Sequence, residues 1–351
     1  MKISIITVCL NSETTIEQTI KSVLEQGYEN LEYIIIDGKS TDRTMEIVEK
    51  YKEQISIIVS EPDKGLYDAM NKGLAMATGD VIGIINSDDW YEPNTFNLVR
   101  ACFEETDAEV TYGKQYFVYG DAKEGEAKRE LSYWVVAPHP TVFVKKEIYD
   151  KFGSFDTSYR ICADYDFQLR IWLHGVRYRY IDAFLANFRT DGISCRRTDI
   201  RTKEKVAVAR KYMSFLSDEE KEYWDKYIHN YYKSFFFSIV LKEDSKAIYD
   251  RLTDKVKEDS KIAIFGSGKW GKKMCEILSE KNLFPAFFVD NNPSKWHTFE
   301  CGIEVLEPKV LETFEGVVLV MVRDYSKEIL QQINDLNNPH IKCVCWEDFI
   351  E

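Results

Sequence analysis

In the N-terminal part of the chain, short apolar runs alternate with stretches whose apolar residues recur at helical spacing. Ile3–Leu10, Leu31–Ile36, Ile55–Val59 and Val81–Ile85 are nearly unbroken apolar runs, the pattern of strands buried on both faces. Between them Ile16, Ile20, Val23 and Leu24 line one helical face, and Met45, Ile47, Val48 and Tyr51 line another. Residues 65–77 also read as helix. Thr14-x-x-Glu17 has the form of a capping box, and Gly27 supplies a stop. Strand and helix therefore alternate repeatedly, which predicts an α/β fold with a mostly parallel sheet and right-handed crossovers.

Further on, Pro93 opens a helix with Phe96, Val99 and Phe103 inward, and residues 109–137 read as strands and loops with a polar insert at Gly120 to Gly125. Residues 176–189 read as two strands. From Asp199 to Asp259 the pattern becomes charged helix rich in aromatics, with Tyr223, Trp224, Tyr227, Tyr231, Tyr232, Phe235, Phe236 and Phe237. The aromatic face predicts packing between domains or subunits. A peripheral membrane contact is the alternative, weakened by Glu219, Glu220, Glu222 and Asp225 among the lysines. Lys261–Phe265 starts a new strand, and later strands are expected at Ala286–Val289, Val317–Val322 and Lys342–Trp346. The chain thus divides into a domain at 1–205, a helical linker at 206–258 and a second small α/β domain at 259–351.

Composition narrows the class. A length of 351 residues favours two domains, and 44% apolar content is ample for two cores. The net charge of −13 argues against a nucleic-acid partner. Eight cysteines contain no C-x-x-C pair and several lie in strand-like runs, so free thiols in a reducing compartment are expected. The N-terminus enters a strand directly and no run approaches a membrane span, which predicts a cytoplasmic protein.

Candidate chemistry sits at the strand ends. Each of the four early strands delivers polar residues at its C-terminal end: Thr7 to Asn11, Asp37, Glu61 to Asp63, and Asp88-Asp89. Ligands of open α/β sheets bind at that edge. The adjacent carboxylates Asp88 and Asp89 repel unless a cation lies beside them, and hard oxygens suit Mg²⁺ or Mn²⁺ carrying a diphosphate. The plainer reading is a cap for the helix at Pro93.

Taken in order, Thr7-Val8-Cys9-Leu10-Asn11, Asp37 to Thr44, Glu61 to Gly73 and Asn86-Ser87-Asp88-Asp89 resemble the family 2 glycosyltransferases of GT-A fold. The resemblance covers roughly the first 195 residues. It implies an inverting transfer from a nucleotide-diphosphate sugar, a UDP-sugar foremost, to a hydroxyl of a glycan or lipid-linked saccharide. Cell-surface polysaccharide synthesis at the inner face of the membrane would be the setting. By this analogy Thr7 and Asn11 sit at the nucleotide, Asp37 bonds the base, and Asp88 bonds the ribose or donor sugar. Asp63, Asn71 and Arg189 join the nucleotide-sugar contacts, and Asp89 holds Mn²⁺ or Mg²⁺ on the diphosphate. In Cys162-Ala163-Asp164-Tyr165-Asp166, Ala163 stands where the family usually has Glu, and Asp164 keeps the carboxylate of the general base. The alternatives are an N-cap for Asp164 and an i,i+4 partnership with Arg170 for Asp166, which we take for Asp166 alone. The role of His139, between two prolines, stays open among core residue, metal ligand and acceptor contact. The Gln-x-x-Arg-Trp pattern of processive polymerases is missing, so single-sugar transfer is expected.

Near the C-terminus, Gly266-Ser267-Gly268-Lys269-Trp270-Gly271 follows a strand and opens a helix, and Asp290 ends the next strand. Gly266, Gly268, Gly271 and Asp290 form a dinucleotide fingerprint in its expected context, with Asp290 placed for a ribose. The segment resembles the small Rossmann-like domains appended to carbohydrate transferases, and no catalytic constellation follows the fingerprint. A sugar-nucleotide-binding scaffold and a sugar nucleotidyltransferase remain as alternatives, but the latter needs a glycine-rich basic loop after the first strand. Cys9 to Thr15 contains neither glycine nor lysine.

Overall fold

The structure is a computed structural model that describes residues 1–235, 252, 256, 260–322 and 325–345. Phe236, Phe237 and Trp346 lie outside the described residues. The chain forms two compact units, Met1–Ser217 and Asp218–Glu351.

The first unit begins with the expected alternation. Strands β1 (Ile3–Cys9), β2 (Leu31–Asp37), β3 (Ile57–Ser60) and β4 (Val81–Asn86) are parallel, in the order β3-β2-β1-β4. Helices α1 (Ile16–Leu24), α2 (Thr44–Glu49) and α3 (Leu66–Met76) make the crossovers. The apolar runs are unbroken because helices cover both faces of this sheet. Ile3, Ile5, Tyr33 and Ile35 belong to one core and Ile6, Val8, Ile34 and Ile36 to the other. Each such aliphatic side chain contributes about 1.5–3 kcal/mol by leaving water.

The sheet continues with β5 (Trp90–Tyr91), β6 (Val110–Tyr119), β7 (Ala122–Glu126), β8 (Phe143–Lys145) and β9 (Tyr178–Arg189) in mixed orientation. The polar insert at Gly120 to Gly125 is the turn of the β6–β7 hairpin together with most of β7. Residues 178–189 are one strand rather than two; the break in pattern coincides with a register irregularity against β6 at Gly113 to Gln115. Helix α4 (Thr95–Glu105) starts after Asn94, α5 (Lys146–Phe152) follows β8, and α6 (Ala163–Leu173) carries Asp164 in its first turn.

After β9 come α7 (Ile193–Arg196) and α8 (Thr198–Lys211). The expected domain end at 205 falls inside α8, which is part of the first unit. The side chains of Glu204 and Lys211 and the hydroxyl of Tyr212, just past α8, are tied to residues 160–166.

The second unit contains α9 (Asp218–Phe235), then β10 (Ile262–Phe265), α10 (Lys269–Ser279), β11 (Phe287–Val289), β12 (Phe299–Glu300), β13 (Ile303–Leu306), β14 (Gly316–Val320), α11 (Ser326–Asp335) and β15 (Ile341–Cys345). Its sheet runs β12-β13-β11-β10-β14-β15, parallel except for the short β12. The first strand of this unit lies between β11 and β14, so the order reverses where the glycine loop leaves β10.

Candidate functional site

The parallel register brings the polar strand ends of the first unit to one edge. Cys9 stands beside Asp37, Asp37 beside Ser60, and Val8 beside Asn86. A cleft of about 630 Å³ opens there, lined among others by Asn11, Asp63, Asp88, Asp164, Arg189 and His139. These residues come from six segments spread over nearly the whole unit.

Other expected residues sit behind this wall. Thr7 is fully buried, with its hydroxyl 3.1 Å from that of Tyr33. Asp37 is fully buried and accepts from Ser40 N at 3.0 Å, Ser40 Oγ at 2.5 Å and Ser60 Oγ at 2.6 Å. Its oxygens thus lock the loop after β2 onto β3, and it does not line the cleft. Asn71 is likewise structural in placement, donating to Phe155 O at 2.9 Å and accepting from Phe155 N at 3.0 Å. Asn11 does reach the cleft; it takes a left-handed conformation (φ 50°), and its Oδ1 accepts from Thr41 N at 2.9 Å. Asp63 accepts from Gly65 N at 2.9 Å, and a Cβ at Gly38 would run into the Asp63 carboxylate. Glycine at 38 is what allows that approach.

The acidic pair splits by direction. Asp88 lines the cleft, whereas Asp89 is buried to 1% exposure behind it. Asp89 Oδ1 accepts from Arg189 N at 3.0 Å, and Asp89 Oδ2 is buried with no hydrogen-bond partner. The pair does not cap α4, whose N-cap is Asn94. Arg189 closes over the pair: its Nε donates to Asp88 O at 2.9 Å, a terminal nitrogen donates to Gln18 Oε1, and the guanidinium lies 4.8 Å from the Trp90 ring centre. Burial raises the Asp88 carboxyl above the usual range, Asp191 adds to the rise, and Arg189 opposes it. Burial, then the Asp88 charge, pushes Asp89 well up. A buried, unpartnered carboxylate oxygen beside a second carboxylate fits a divalent cation, and the all-oxygen donor set suits Mg²⁺ or Mn²⁺. No group of three or more His, Cys, Asp or Glu with metal-ligand placement occurs among the described residues, so ligand and water oxygens would complete such a shell.

Asp164 also lines the cleft and is not an N-cap. The N-cap of α6 is Cys162. The Tyr67 hydroxyl lies 2.9 Å from Asp164 Oδ1 and 2.6 Å from Ile161 O, so one proton serves two acceptors. His139 Nδ1 is 3.9 Å from Asp164 Oδ2. Burial lowers the His139 pKa against the pull of Asp164, and its Nε2 is buried without a partner. The expected i,i+4 ion pair of Asp166 with Arg170 is present at 3.9 Å, but Lys211 Nζ at 2.8 Å and Tyr212 Oη at 3.1 Å are nearer partners. Helical spacing identifies Arg170, whereas the closer contacts on Oδ1 come from Lys211 and Tyr212, far along the chain.

Sequence reasoning assigned no role to Tyr67, Glu204 or Lys211. Tyr67 stands inside the Glu61 to Gly73 motif, which was a signal; Glu204 and Lys211 lie in the charged, aromatic-rich stretch from Asp199 to Asp259, where the charges carry no pattern that points to residues 160–166.

In the second unit, a cavity of about 480 Å³ is lined by Gly266, Gly268, Lys269, Asp290 and Lys295 with apolar Met321 and Ile329. Gly271 is not in its wall; a Cβ there would strike Gly266 O, so this glycine serves helix–strand packing. Asp290 accepts from Ser267 N at 3.1 Å, Ser267 Oγ at 2.6 Å, Lys295 Nζ at 2.8 Å and Asn292 N at 3.0 Å. Three of these bonds fall on Oδ2 and one on Oδ1, so Asp290 fastens the glycine loop while it lines the cavity.

A family model described as Glycosyl transferase family 2 matches residues 4–168, and one described as C2185-like, N-terminal matches residues 258–344. An uncharacterized glycosyltransferase of Mycobacterium tuberculosis is 30% identical over 208 residues, covering 56% of this chain and 78% of that protein. A PGL/p-HBAD biosynthesis glycosyltransferase of Mycobacterium bovis is 28% identical over 203 residues, covering 54% of this chain and 77% of that protein. Among solved structures, S. aureus TarS 1-349 in complex with UDP-GlcNAc aligns with a TM-score of 0.57 at 20% identity, covering 71% of this chain and 79% of that one. The mannosyltransferase PcManGT from Pyrobaculum calidifontis, in complex with GDP-Man and Mn²⁺, aligns with a TM-score of 0.50 at 18% identity, covering 61% of this chain and 64% of that one. The two structures share the GT-A type fold expected from the strand-end motifs. With strand ends, acidic pair and sequence relatives in agreement, the chain belongs to glycosyl transferase family 2.

Proposed function

We propose that the first unit is an inverting, non-processive transferase that moves one sugar from a nucleotide-diphosphate sugar to a hydroxyl acceptor. The observation that carries this reading is a single cleft lined by both Asp88 and Asp164, with Asp89 buried directly behind Asp88. The UDP-GlcNAc complex of the TarS neighbour supports a UDP-sugar as donor, and the Mn²⁺ in the PcManGT neighbour supports a divalent cation. Asp89 would hold Mn²⁺ or Mg²⁺ with Asp88 beside it. Such a cation supplies Lewis-acid stabilisation of the leaving diphosphate.

The residues of the chain do the rest. Asn11 and Asp63 border the nucleotide end, while Thr7, Asp37 and Asn71 brace the loops from behind. Arg189 pins the loop after β9 over the acidic pair. Asp164 accepts the acceptor proton at a carboxylate oxygen, and Tyr67 fixes which oxygen is presented. A glycan or lipid-linked saccharide at the membrane face is the acceptor class in this reading, in cell-surface polysaccharide synthesis.

Exchange of Asp164→Asn tests the assignment. Transfer or donor hydrolysis should fall by about 10²-fold or more while donor affinity stays unchanged, as expected for loss of a general base. Unchanged turnover would move the base elsewhere, with Asp191 the next carboxylate on the cleft wall.

The second unit is, in the same reading, a binding module for a phosphate-bearing ligand rather than a dehydrogenase. Its support is the glycine loop at the start of α10 and the two lysines at the cavity.

A further inference from the structure

Helix α8 reaches back to the segment that leads into the base-carrying helix. The Glu204 carboxylate accepts three successive backbone N–H groups: Arg160 N at 2.7 Å on Oε1, and Ile161 N at 2.8 Å and Cys162 N at 3.0 Å on Oε2. The next residues, Ala163 and Asp164, open α6. The opposite side of this short segment is held as well, because the Tyr67 hydroxyl that meets Asp164 is also 2.6 Å from Ile161 O. Cys162 Sγ adds a contact to Arg201 O at 3.4 Å, on the turn of α8 that precedes Glu204.

We infer that Glu204 is a positioning residue for the base: its carboxylate fixes the backbone at 160–162 and thereby sets where Asp164 stands in the cleft. The inference rests on the assignment of Asp164 as base. Three N–H donors converging on one carboxylate define the path of the segment in a way that a single hydrogen bond does not. Charge-assisted bonds of this kind are about twice as strong as neutral ones. Ile161 and Cys162 are buried, at 7% and 5% exposure, so water is a poor substitute for the carboxylate at these amides. Glu204 is absent from the cleft wall and so acts only through the backbone it holds. A displacement of Asp164 by about 1 Å is enough to cost on the order of 10²-fold in rate.

The expected results separate position from fold. In the full chain, Glu204→Ala should lower hydrolysis of UDP-GlcNAc or GDP-mannose with Mn²⁺ by about tenfold or more, with the donor dissociation constant unchanged. Glu204→Gln keeps one acceptor oxygen but turns an NH₂ toward a backbone N–H, so it should recover part of the loss. Amide hydrogen exchange should show Arg160 to Cys162 protected in the wild type and released in Glu204→Ala, and a crystal structure of that variant should show Asp164 moved off Tyr67. Wild-type turnover in Glu204→Ala, or an Asp164–Tyr67 hydrogen bond retained in its crystal, overturns the inference. If the wild type hydrolyses neither donor, the transferase reading fails by itself, and the position of Asp164 in the variant crystal still decides the role of Glu204.

Discussion

At the scale of single residues, the acidic pair carries the strongest electrostatic demand. Asp88 and Asp89 both have carboxyl pKa values raised above their ordinary level, by burial first and then by Asp191 and Asp88 respectively. A group raised in the folded state contributes stability below its unfolded value of about 3.9, and that contribution is lost as pH rises through the folded value. Toward neutral pH the metal-free chain therefore bears the cost of two buried charges, and a divalent cation offsets it. Stabilisation by Mn²⁺ should accordingly be larger near about pH 7 than near about pH 5, reaching about 2.7 kcal/mol at a hundredfold excess over its dissociation constant. Thermal melts with and without Mn²⁺ at the two pH values check this. Equal shifts at both, or a full shift in Asp89→Asn, would remove the pair from the metal site. The candidate residues themselves were readable because four successive strands end in polar residues on one edge of the sheet, three of them acidic. Which of the two faces the cleft was not: adjacent residues point to opposite sides of the chain, and only the bond from Arg189 N to Asp89 selects the side.

At the scale of elements, helical spacing and caps were reliable for existence and unreliable for partners. The Thr14-x-x-Glu17 pattern precedes a helix, yet no side-chain cap forms, because Glu17 Oε1 accepts from the Tyr51 hydroxyl at 2.7 Å instead. Asp166 keeps its local ion pair with Arg170 at 3.9 Å but has nearer partners from far along the chain. It is fully buried, and Lys211 Nζ and Tyr212 Oη from the end of α8 hold Oδ1. Asp166→Ala should therefore destabilise the first unit by about 2–4 kcal/mol, the range for breaking a buried polar pair with one end partly solvated. The expected reading is a drop of several degrees in the melting transition with α6 and α8 loosened in hydrogen exchange. A change within about 0.5 kcal/mol, the size of an ordinary surface substitution, would show that the α8 contacts are superficial.

At the scale of the whole molecule, the tie between α8 and residues 160–166 sets where the transferase unit can be cut. A chain ending at Ser217 keeps Glu204, Lys211 and Tyr212, whereas one ending at 205 loses the last two. Residues 1–217 alone should bind UDP-GlcNAc with Mn²⁺ as the full chain does by calorimetry, and residues 1–205 should bind weakly or aggregate. Equal binding by both would place the boundary back at residue 205, inside α8. No helix among the described residues is long and apolar enough to cross a membrane. The sequence by itself determined the alternation of strands and helices, the division into two α/β units and the edge on which the polar residues gather. Those follow from local periodicity and from the fixed hand of parallel crossovers. Tertiary structure alone decided that Asp37 ties the loop after β2 to β3, that Asp290 fastens the glycine loop, that Asp88 rather than Asp89 faces the cleft, and that a glutamate on a charged helix grips the backbone ahead of Asp164. Each of these is a contact between groups far apart in the chain or a choice of side-chain direction, and neither leaves a period in the sequence.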